Sequence, residues 1–504
     1  MAVESRLEDI IQARKAEIAS LRKAGENPFK YGYKRTAMAA ELITAVQKVE
    51  PGATTGKAVK AAGRVRSIRG HGKIAFADLE DSTGRIQVMA QASMPGFELF
   101  AKLGAGDIIG VEGEPGKAKK GEPTIFAKSF TLLTKAVRPL PNDWYGLKDV
   151  EIRYRKRYLD LLIDPKKRAI FEANARVIQG IRQFLDQRGF TEVHTPILQP
   201  LYGGANAKPF KTFSNALGNE LYLRIATELY LKRLIVGGFE RVYEIGPNFR
   251  NESIDTTHNP EFDAMEFYMA YADYNDVMDL AEEMVASIAK HVNGTTKATY
   301  NGVEIDFSKK WERLSMVDAI KKYGKIDVDK QSLEQLTALA EKHKLEVNPQ
   351  ANRGELIEAL FEEFAEPHIK QPTFITDFPV EVCPLAKVHR KDPRYAERFE
   401  GYVAGMEIMN AFSELNDPEE QLRQFRLQGE MRKHGDAEAH PLDEDYVEAL
   451  EYGMPPTGGF GLGIARLVML LTGQTSLKEV ILFPQMKKTD EKSFGDEEKD
   501  KVFN

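Results

Sequence analysis

Apolar positions recur with two different periods along this chain, and the change of period divides it. Residues 5–24 place Leu7, Ile10, Ile11, Ile18 and Leu21 on one helical face, and Gly25 and Pro28 stop that helix. From Val59 to Lys135 the period drops to two. VKAAGRVRSIRGHGKIAFADLEDSTGRIQVMAQ reads as alternating strands parted by Gly70, Gly72 and the turn Asp81-Ser82-Thr83-Gly84, and DIIGVEGEPGKAKKGEPTIFAKSFTLLTKA adds more. About five short strands carrying basic and aromatic side chains predict an OB-fold barrel, whose strand face binds single-stranded nucleic acid. A plain small barrel used for protein contacts is the other reading of the same pattern.

Helical spacing then returns. Arg138 to Asp164 opens with proline-rich linker residues and turns basic and helical, with cations placed to touch a nucleic-acid backbone. Phe171, Val177, Ile178, Ile181, Phe184 and Leu185 mark a long amphipathic helix closed by Gly189, followed by a strand-like TEVHTP. In LYGGANAKPF, Gly203 and Gly204 let backbone approach a ligand, and Glu228 opens a short apolar helix. The stretch from Arg241 to Tyr271 predicts an antiparallel hairpin: a strand, a loop crowded with Arg250, Glu252, His258, Asn259 and Glu261, and a returning strand through Phe262, Met265, Phe267 and Tyr268. A planar guanidinium at Arg250 can grip a carboxylate and a phosphate together, and Phe262 offers a face to a nucleobase.

Residues 296–370 are rich in Lys and Glu at helical spacing and predict an inserted helical subdomain. Beyond it, Glu400 and Glu407 stand seven apart, and period two puts Asn410, Phe412 and Glu414 on one face of a strand. TGGFGLGIARLVMLLTG runs from a glycine-rich strand into an apolar helix with Arg466 at the junction. Its glycines do not fit G-x-G-x-x-G, and the chain has no G-x-x-x-x-G-K-[ST], so neither a Rossmann nor a P-loop nucleotide site is indicated.

Composition narrows the class. With 504 residues, 42% hydrophobic and 29% charged, the chain can hold two or three globular domains. No run approaches the roughly 18 apolar residues of a membrane span. One cysteine, Cys383, excludes internal disulfides and multi-cysteine zinc sites. The first residues mix acids and bases without a compact apolar core, unlike a secretory or transit segment, so the expected compartment is the cytoplasm. Net charge is −6, so a nucleic-acid partner would meet local basic patches: Arg64 to Lys73, Lys117 to Lys120, and Arg153 to Arg168.

FRNE at Phe249 to Glu252 and HNPEF at His258 to Phe262 closely resemble motif 2 of the class II aminoacyl-tRNA synthetases. The wider wording, VGGFERVYEIGPNFRNE through EFYMAYADY, looks like the class II lysyl-tRNA synthetases. The long helix and TEVHTP resemble motif 1, which forms a dimer interface, and the Arg466 segment resembles motif 3. The resemblance implies an α+β fold: a helical extension over 1–57, an OB-fold anticodon-binding domain over 58–140, a linker over 141–165 and a catalytic antiparallel sheet with helices over 166–504. It implies ATP and L-lysine as substrates, tRNA(Lys) as partner, Mg²⁺ as cofactor, and a homodimer.

Residue by residue, the resemblance implies that Arg250 bridges the amino-acid carboxylate and the α-phosphate and that Arg466 holds the γ-phosphate. Glu252, His258 and Gly463 lie at the nucleotide, with Phe262 stacked on adenine. Glu400 and Glu407 hold Mg²⁺. Gly204 and Glu228 take the α-amino group, Glu414 and Tyr268 the ε-ammonium, and Asn410 the carboxylate end, with Glu266 and Phe412 in the same pocket. On the barrel, Phe76 stacks on an anticodon base, with Arg66, Gln87 and Glu122 near base edges. An aspartyl enzyme would need cations where this pocket has acids. A lysyl-transferring paralogue acting on protein would resemble the catalytic part alone, and a non-catalytic RNA-binding relative would not need Arg250, Glu400, Glu407 and Arg466. The chain departs from the usual wording at Met406, where arginine stands, at Met409 and Ala411, where glycines stand, and at Ala465, where aspartate is common. The first three are expected to reshape the pocket floor.

Overall fold

The computed structural model describes residues 2–141, 149–348, 350–433 and 440–487. The chain divides into two compact units, with the break between Arg153 and Tyr154, inside the stretch expected as a linker. Residues 142–148 of that stretch lie outside the described residues.

In the first unit, helix α1 (Ala2–Lys23) precedes a short α2 (Ala39–Ala45). Strands β1 (Val59–His71), β2 (Ile74–Glu80), β3 (Arg85–Gln91), β4 (Ile108–Lys117) and β5 (Pro123–Thr134) close into a barrel in the order β1-β2-β3-β5-β4, with the five-residue helix α3 (Phe97–Ala101) between β3 and β4. Only the β3–β5 pairing in it is parallel. Alternation decides the inside: Val65, Ala75, Ala77, Val88, Ile109, Val111 and Ile125 are fully buried. The barrel is the expected OB fold. Its N-terminal helix packs on the barrel. Leu7, Ile11 and Ile18 are buried, Arg14 donates to the carbonyls of Ala105, Ala136 and Arg138, and Glu17 pairs with Lys135 at 2.7 Å.

The second unit is built on an eight-stranded sheet. The break falls within helix α4 (Val150–Arg155), and α5 (Arg157–Ile163) leads into α6 (Pro165–Asp186), capped by Asp164 and started on Pro165, a residue preorganised for a first turn. Then follow β6 (Thr191–Glu192), a small sheet of β7 (Leu198–Gln199), β8 (Lys211–Ser214) and β9 (Asn219–Leu223), and helix α7 (Glu228–Val236). The expected hairpin is β10 (Arg241–Phe249) and β11 (Glu261–Ala270), in register from Arg241 opposite Met269 to Phe249 opposite Glu261. Helix α8 (Tyr274–Asn293) has Asp273 as an N-cap with a capping box.

The stretch expected as a helical insertion holds more than helices. It opens with the hairpin β12 (Lys297–Tyr300) and β13 (Val303–Asp306). Strand β14 (Glu312–Ser315) then joins the main sheet at its edge, before α9 (Met316–Gly324), α10 (Leu333–His343) and α11 (Arg353–Phe364). Four-residue strands give too few alternations to stand out beside long Lys/Glu helices, which is why the pattern read as helical throughout. The chain closes with β15 (Thr373–Pro379), β16 (Tyr395–Val403), β17 (Met406–Ser413), α12 (Pro418–Lys433), α13 (Glu444–Glu451), β18 (Thr457–Gly463), α14 (Ile464–Thr472) and α15 (Leu477–Val480).

The sheet order is β14-β15-β16-β17-β18-β11-β10-β6, parallel only at its two edge pairings. One face carries the core: α6, α8 and α14 cover Tyr243, Phe267, Phe399, Phe460 and Leu462. Phe267 stacks on Phe460 with centroids 4.8 Å apart. The other face is left for the site.

The basic run from Arg153 to Arg168 does not all face outward. Arg157 is fully buried: it pairs with Asp160 at 2.7 Å and donates to the carbonyls of Lys478, Ile481 and Leu482 around the end of α15. Its charge is thereby spent on a helix C-terminus and not on a nucleic-acid backbone. Replacing Arg157 with Met removes this buried ion pair and the donors to these carbonyls, and the expected loss of unfolding free energy is about 3–5 kcal/mol. Urea unfolding followed by tryptophan emission reads it, and a change below about 1 kcal/mol contradicts the assignment.

Candidate functional site

The uncovered face of the catalytic sheet is hollow because its central strand lacks side chains there. In β18, Phe460 and Leu462 point into the core, so Gly459, Gly461 and Gly463 fall on the opposite face. Cross-strand register then sets the walls. Gly459 lies between Tyr268 and Phe412, and Gly461 lies between Glu266 and Asn410. The result is a cavity of about 420 Å³ whose lining includes every catalytic-unit residue to which the resemblance gives a role, Gly204, Glu228, Arg250, Glu252, His258, Phe262, Glu266, Tyr268, Glu400, Glu407, Asn410, Phe412, Glu414, Gly463 and Arg466, but not Gly203 or Glu261.

Glu407 reaches this face through an irregularity. Strict alternation in β17 would put Glu407 with Met409 and Ala411, opposite Asn410. The pairing shifts instead, Gly401 opposing Met409 while Tyr402 opposes Glu407, so Ile408 is an extra residue in the strand. That bulge brings Glu407 and Asn410 to one side.

At one end of the cavity lie the nucleotide candidates. The loop between β10 and β11 is fixed at Arg250, whose N–H donates to the Pro260 carbonyl, and at Asn251, whose N–H donates to Lys208. Arg250 sits with its guanidinium 5.1 Å from the Phe262 ring centroid, and burial lowers its pKa from the ordinary arginine value. Arg466 ties the loop to the sheet. It donates to both the carbonyl and the carboxylate of Glu407, each at 2.7 Å, and faces His258 Nε2 at 3.4 Å. His258 Nδ1 lies 2.8 Å from Asp255. Burial alone would raise Asp255, but the Thr257 N–H, His258 and the Thr257 hydroxyl hold it down to about 2. Ala465 lines the cavity beside Arg466.

Glu400 is buried, accepting from Arg398 and from the Tyr402 hydroxyl, both at 2.6 Å. Burial pushes its carboxyl up, Arg398 opposes that, and the Glu407 charge adds to it. Two carboxylates in one cavity lining, each with hard oxygen donors, suit a divalent cation. No cluster of three or more His, Cys, Asp or Glu side chains poised for a metal occurs among the described residues, so further ligands would have to be phosphate oxygens and water.

The other end is acidic. Glu266 accepts the Thr227 N–H at 3.1 Å and the Tyr268 hydroxyl at 3.4 Å. Gly204 packs against the start of α7 with φ +88°. A Cβ there would meet Ala226 Cβ and Glu228 Cβ at 3.0 Å, so both its conformation and its neighbours require glycine. Glu414 follows β17, and its carboxylate lies directly over Gly459, where any Cβ would overlap it. Burial pushes Glu228, Glu266, Glu414 and Tyr268 all upward.

Several functional neighbours were missed in the sequence. Arg398 is one: it donates to Asn410 and Glu400, and it rests 4.4 Å from the Phe378 centroid. Lys232 is another, fully buried between Glu228 and Glu414. Its signal was readable, because a lysine four residues after Glu228 falls on the apolar stripe of α7 with Leu231 and Ile235. Gly459 and Gly461 were the third: the strand was read as glycine-rich, but only Gly463 was given a place in the site.

The methionine departures lie largely away from the pocket. Met406 and Ala411 belong to the core and do not line the cavity. Met409 packs over Gly401 in the core and touches the lining. The expected reshaping of the floor is thus reduced to Met409.

On the barrel, Phe76, Met89 and Phe126 stand in cross-strand register on the outer face of β2, β3 and β5. Gln87 accepts from Thr124 at 3.1 Å beside the exposed Glu122. Arg66 is set apart: it falls at the irregularity between Val65 and Ser67, and its side chain is 2% exposed, against Glu80.

Residues 149–487 match the family described as tRNA synthetases class II (D, K and N), and residues 59–133 match the OB-fold nucleic acid binding domain. Among curated relatives, the lysine–tRNA ligase of Pelotomaculum thermopropionicum is 48% identical over 490 residues, 96% of each chain. That of Carboxydothermus hydrogenoformans is 48% identical over 96% of this chain and 99% of its own. That of Methanoculleus marisnigri is 50% identical over 94% of each.

His440 supplies a pH test of this packing. It is 2% exposed at the cavity wall, and its Nδ1 finds no partner among the described residues. Burial, and then the Lys232 ammonium, push its imidazole down to about 4. A depressed folded-state value means that its contribution is full above about 6.5 and is lost as pH falls toward 4. Relative to His440→Gln, the wild-type chain should lose stability below about pH 6.5, by no more than about 1.4 kcal/mol per pH unit. Denaturant unfolding at pH 7 and pH 5 reads the difference, and parallel curves contradict it.

Proposed function

The chain belongs to the class II tRNA synthetases of the D, K and N type, and from that premise we propose that it is a lysine–tRNA ligase. It activates L-lysine with ATP, releasing pyrophosphate, and transfers lysine to tRNA(Lys). The observation that carries this reading is the acidic end of the cavity: Glu228, Glu266 and Glu414 converge beside the Tyr268 hydroxyl and within the same cavity as Arg250. A buried ammonium needs carboxylates and hydroxyls to receive it, and an aspartate side chain would be repelled here. The full-length relatives named above support the same substrate.

Activation joins a carboxylate oxygen to the α-phosphorus as the pyrophosphate oxygen leaves. The protein must hold two anions in line and balance the charge that develops. Arg250 bridges the lysine carboxylate and the α-phosphate, with Asn410 at the carboxylate end. Arg466 holds the γ-phosphate, Phe262 stacks on adenine, and Glu252, His258 and Gly463 contact the nucleotide. Glu228 and Gly204 take the α-amino group, while Glu414 and Tyr268 take the ε-ammonium. Glu400 and Glu407 would hold Mg²⁺, which when bound spreads the phosphate charge. On the barrel, Phe76 stacks on an anticodon base with Gln87 and Glu122 near base edges, and Arg66 joins them only after leaving Glu80.

A homodimer is part of this reading. Ile197, Leu198, Phe213 and Leu217 are exposed around the small sheet of β7, β8 and β9, shortly after the helix that resembles motif 1. A second copy would cover such an apolar group. The single cysteine and the role in translation support a cytoplasmic site of action.

Amino-acid-dependent ATP–pyrophosphate exchange across the twenty amino acids tests activation, with tRNA(Lys) charging as the second step. Exchange with lysine alone is expected, and exchange with aspartate or asparagine, or with none, contradicts the reading. Gly459→Ala, which displaces the Glu414 carboxylate, should raise KM for lysine at least about tenfold and leave KM for ATP within about twofold. Light scattering should give twice the chain mass, and a monomer under assay conditions contradicts the dimer.

A further inference from the structure

We propose that Lys232 is a positioning and specificity residue of the amino-acid pocket, a resident ammonium that ties the acid at one end to the acid at the other and sets the charge that the substrate meets. The inference rests on the lysine-activating reading above.

The geometry is unusual for a lysine. Lys232 lies on the buried stripe of α7, and its side chain is 0% exposed. Its Nζ donates to Glu228 Oε1 at 2.5 Å, contacts Glu414 Oε2, and stands 5.3 Å from the centroid of the Phe412 ring. Lysine is almost never fully buried unless it is paired. Here the two partners are the acids read as receiving the α-amino group and the ε-ammonium of the substrate. Burial alone would lower the Lys232 ammonium, but Glu228 and then Glu414 outweigh it and hold it above its ordinary value, so it stays charged.

Glu414 has a second oxygen. Neither oxygen makes a hydrogen bond among the described residues, but Oε2 is in ion-pair contact with Lys232, whereas Oε1 lies over the bare backbone of Gly459, beside Tyr268. Lys232 therefore occupies one side of this carboxylate and leaves the other to the cavity. Charge count agrees. Three pocket carboxylates, Lys232 and the Arg250 guanidinium leave one net negative charge, opposite to the single net positive charge of lysine. Without Lys232, Glu228 and Glu414 would face each other in a dry pocket with no cation between them, and one would take up a proton. A neutral carboxyl cannot hold the incoming ammonium as an ion pair.

Lys232→Met keeps the length of the side chain and removes the charge. Lys232→Ala leaves a hole that methylammonium can fill. Both are compared with the wild-type full-length chain in lysine-dependent ATP–pyrophosphate exchange. The expected result is KM for lysine raised about tenfold or more in both variants, with kcat within about threefold and KM for ATP within about twofold. Methylammonium should lower KM for lysine in Lys232→Ala and not in Lys232→Met. If the alanine variant is unfolded alone, recovery of lysine-dependent exchange on refolding with methylammonium supports the proposal, and no recovery overturns it. Unchanged KM for lysine overturns it, as does a loss shared equally among kcat and both KM values without amine rescue. A wild-type chain that activates no lysine defeats the underlying reading instead, an outcome visible before any variant is made.

Discussion

An ionised carboxylate leaves water only where cations or N–H donors receive it, and the exposed face of this catalytic sheet carries several. Each has a partner, and two of them share one. Arg224 receives Glu244 beneath the hairpin, and Arg398 receives Glu400. Arg466 receives Glu407, the Thr227 N–H receives Glu266, and Lys232 receives Glu228 and Glu414. The hydrocarbon core on the opposite face holds the strands in register, and register decides which acids meet which cations. A slip of one residue in a strand would exchange its two faces and turn its carboxylates into the core.

Much of this was legible because it is local. The hairpin from Arg241 to Ala270, the barrel strands and the long helix through Phe184 follow from period and turn residues alone. The cavity residues were legible as a set through their resemblance to a known family, and the fold brings them together. What was not legible depends on packing at a distance. The extra residue at Ile408 reverses the face of Glu407, and no period-two count can reveal it. Strand β14 pairs in parallel with β15 across a long excursion, so its short sequence carries no partner signal. Arg157 and Arg66 look like surface cations in a basic run, but each is drawn inward by an acid or by carbonyls that only the fold supplies. Lys232, Gly459 and Gly461 differ from these cases: their pattern was present in the sequence, and their place in the cavity wall went unread.

The departures from the family wording fit the same division of faces. Met406 and Ala411 change the hydrocarbon side of the sheet, where volume must be kept but charge is irrelevant. Met409 lies over Gly401, its cross-strand partner, so a long side chain opposite a missing one preserves packing. The cations and acids of the cavity face are all present. Ala465 stands beside an Arg466 that already has Glu407 and His258 as neighbours.

The central claim is that buried carboxylates recognise an ammonium. Calorimetric titration of the chain with L-lysine and with L-norleucine, which lacks only the ε-ammonium, tests it most directly. The account predicts that lysine binds and that norleucine binds at least about a hundredfold more weakly, because no ammonium then reaches the side of Glu414 that Lys232 leaves open. Affinities within about threefold of each other would mean that hydrocarbon contacts with Phe412 and the sheet hold the side chain, and that the acids do not select it.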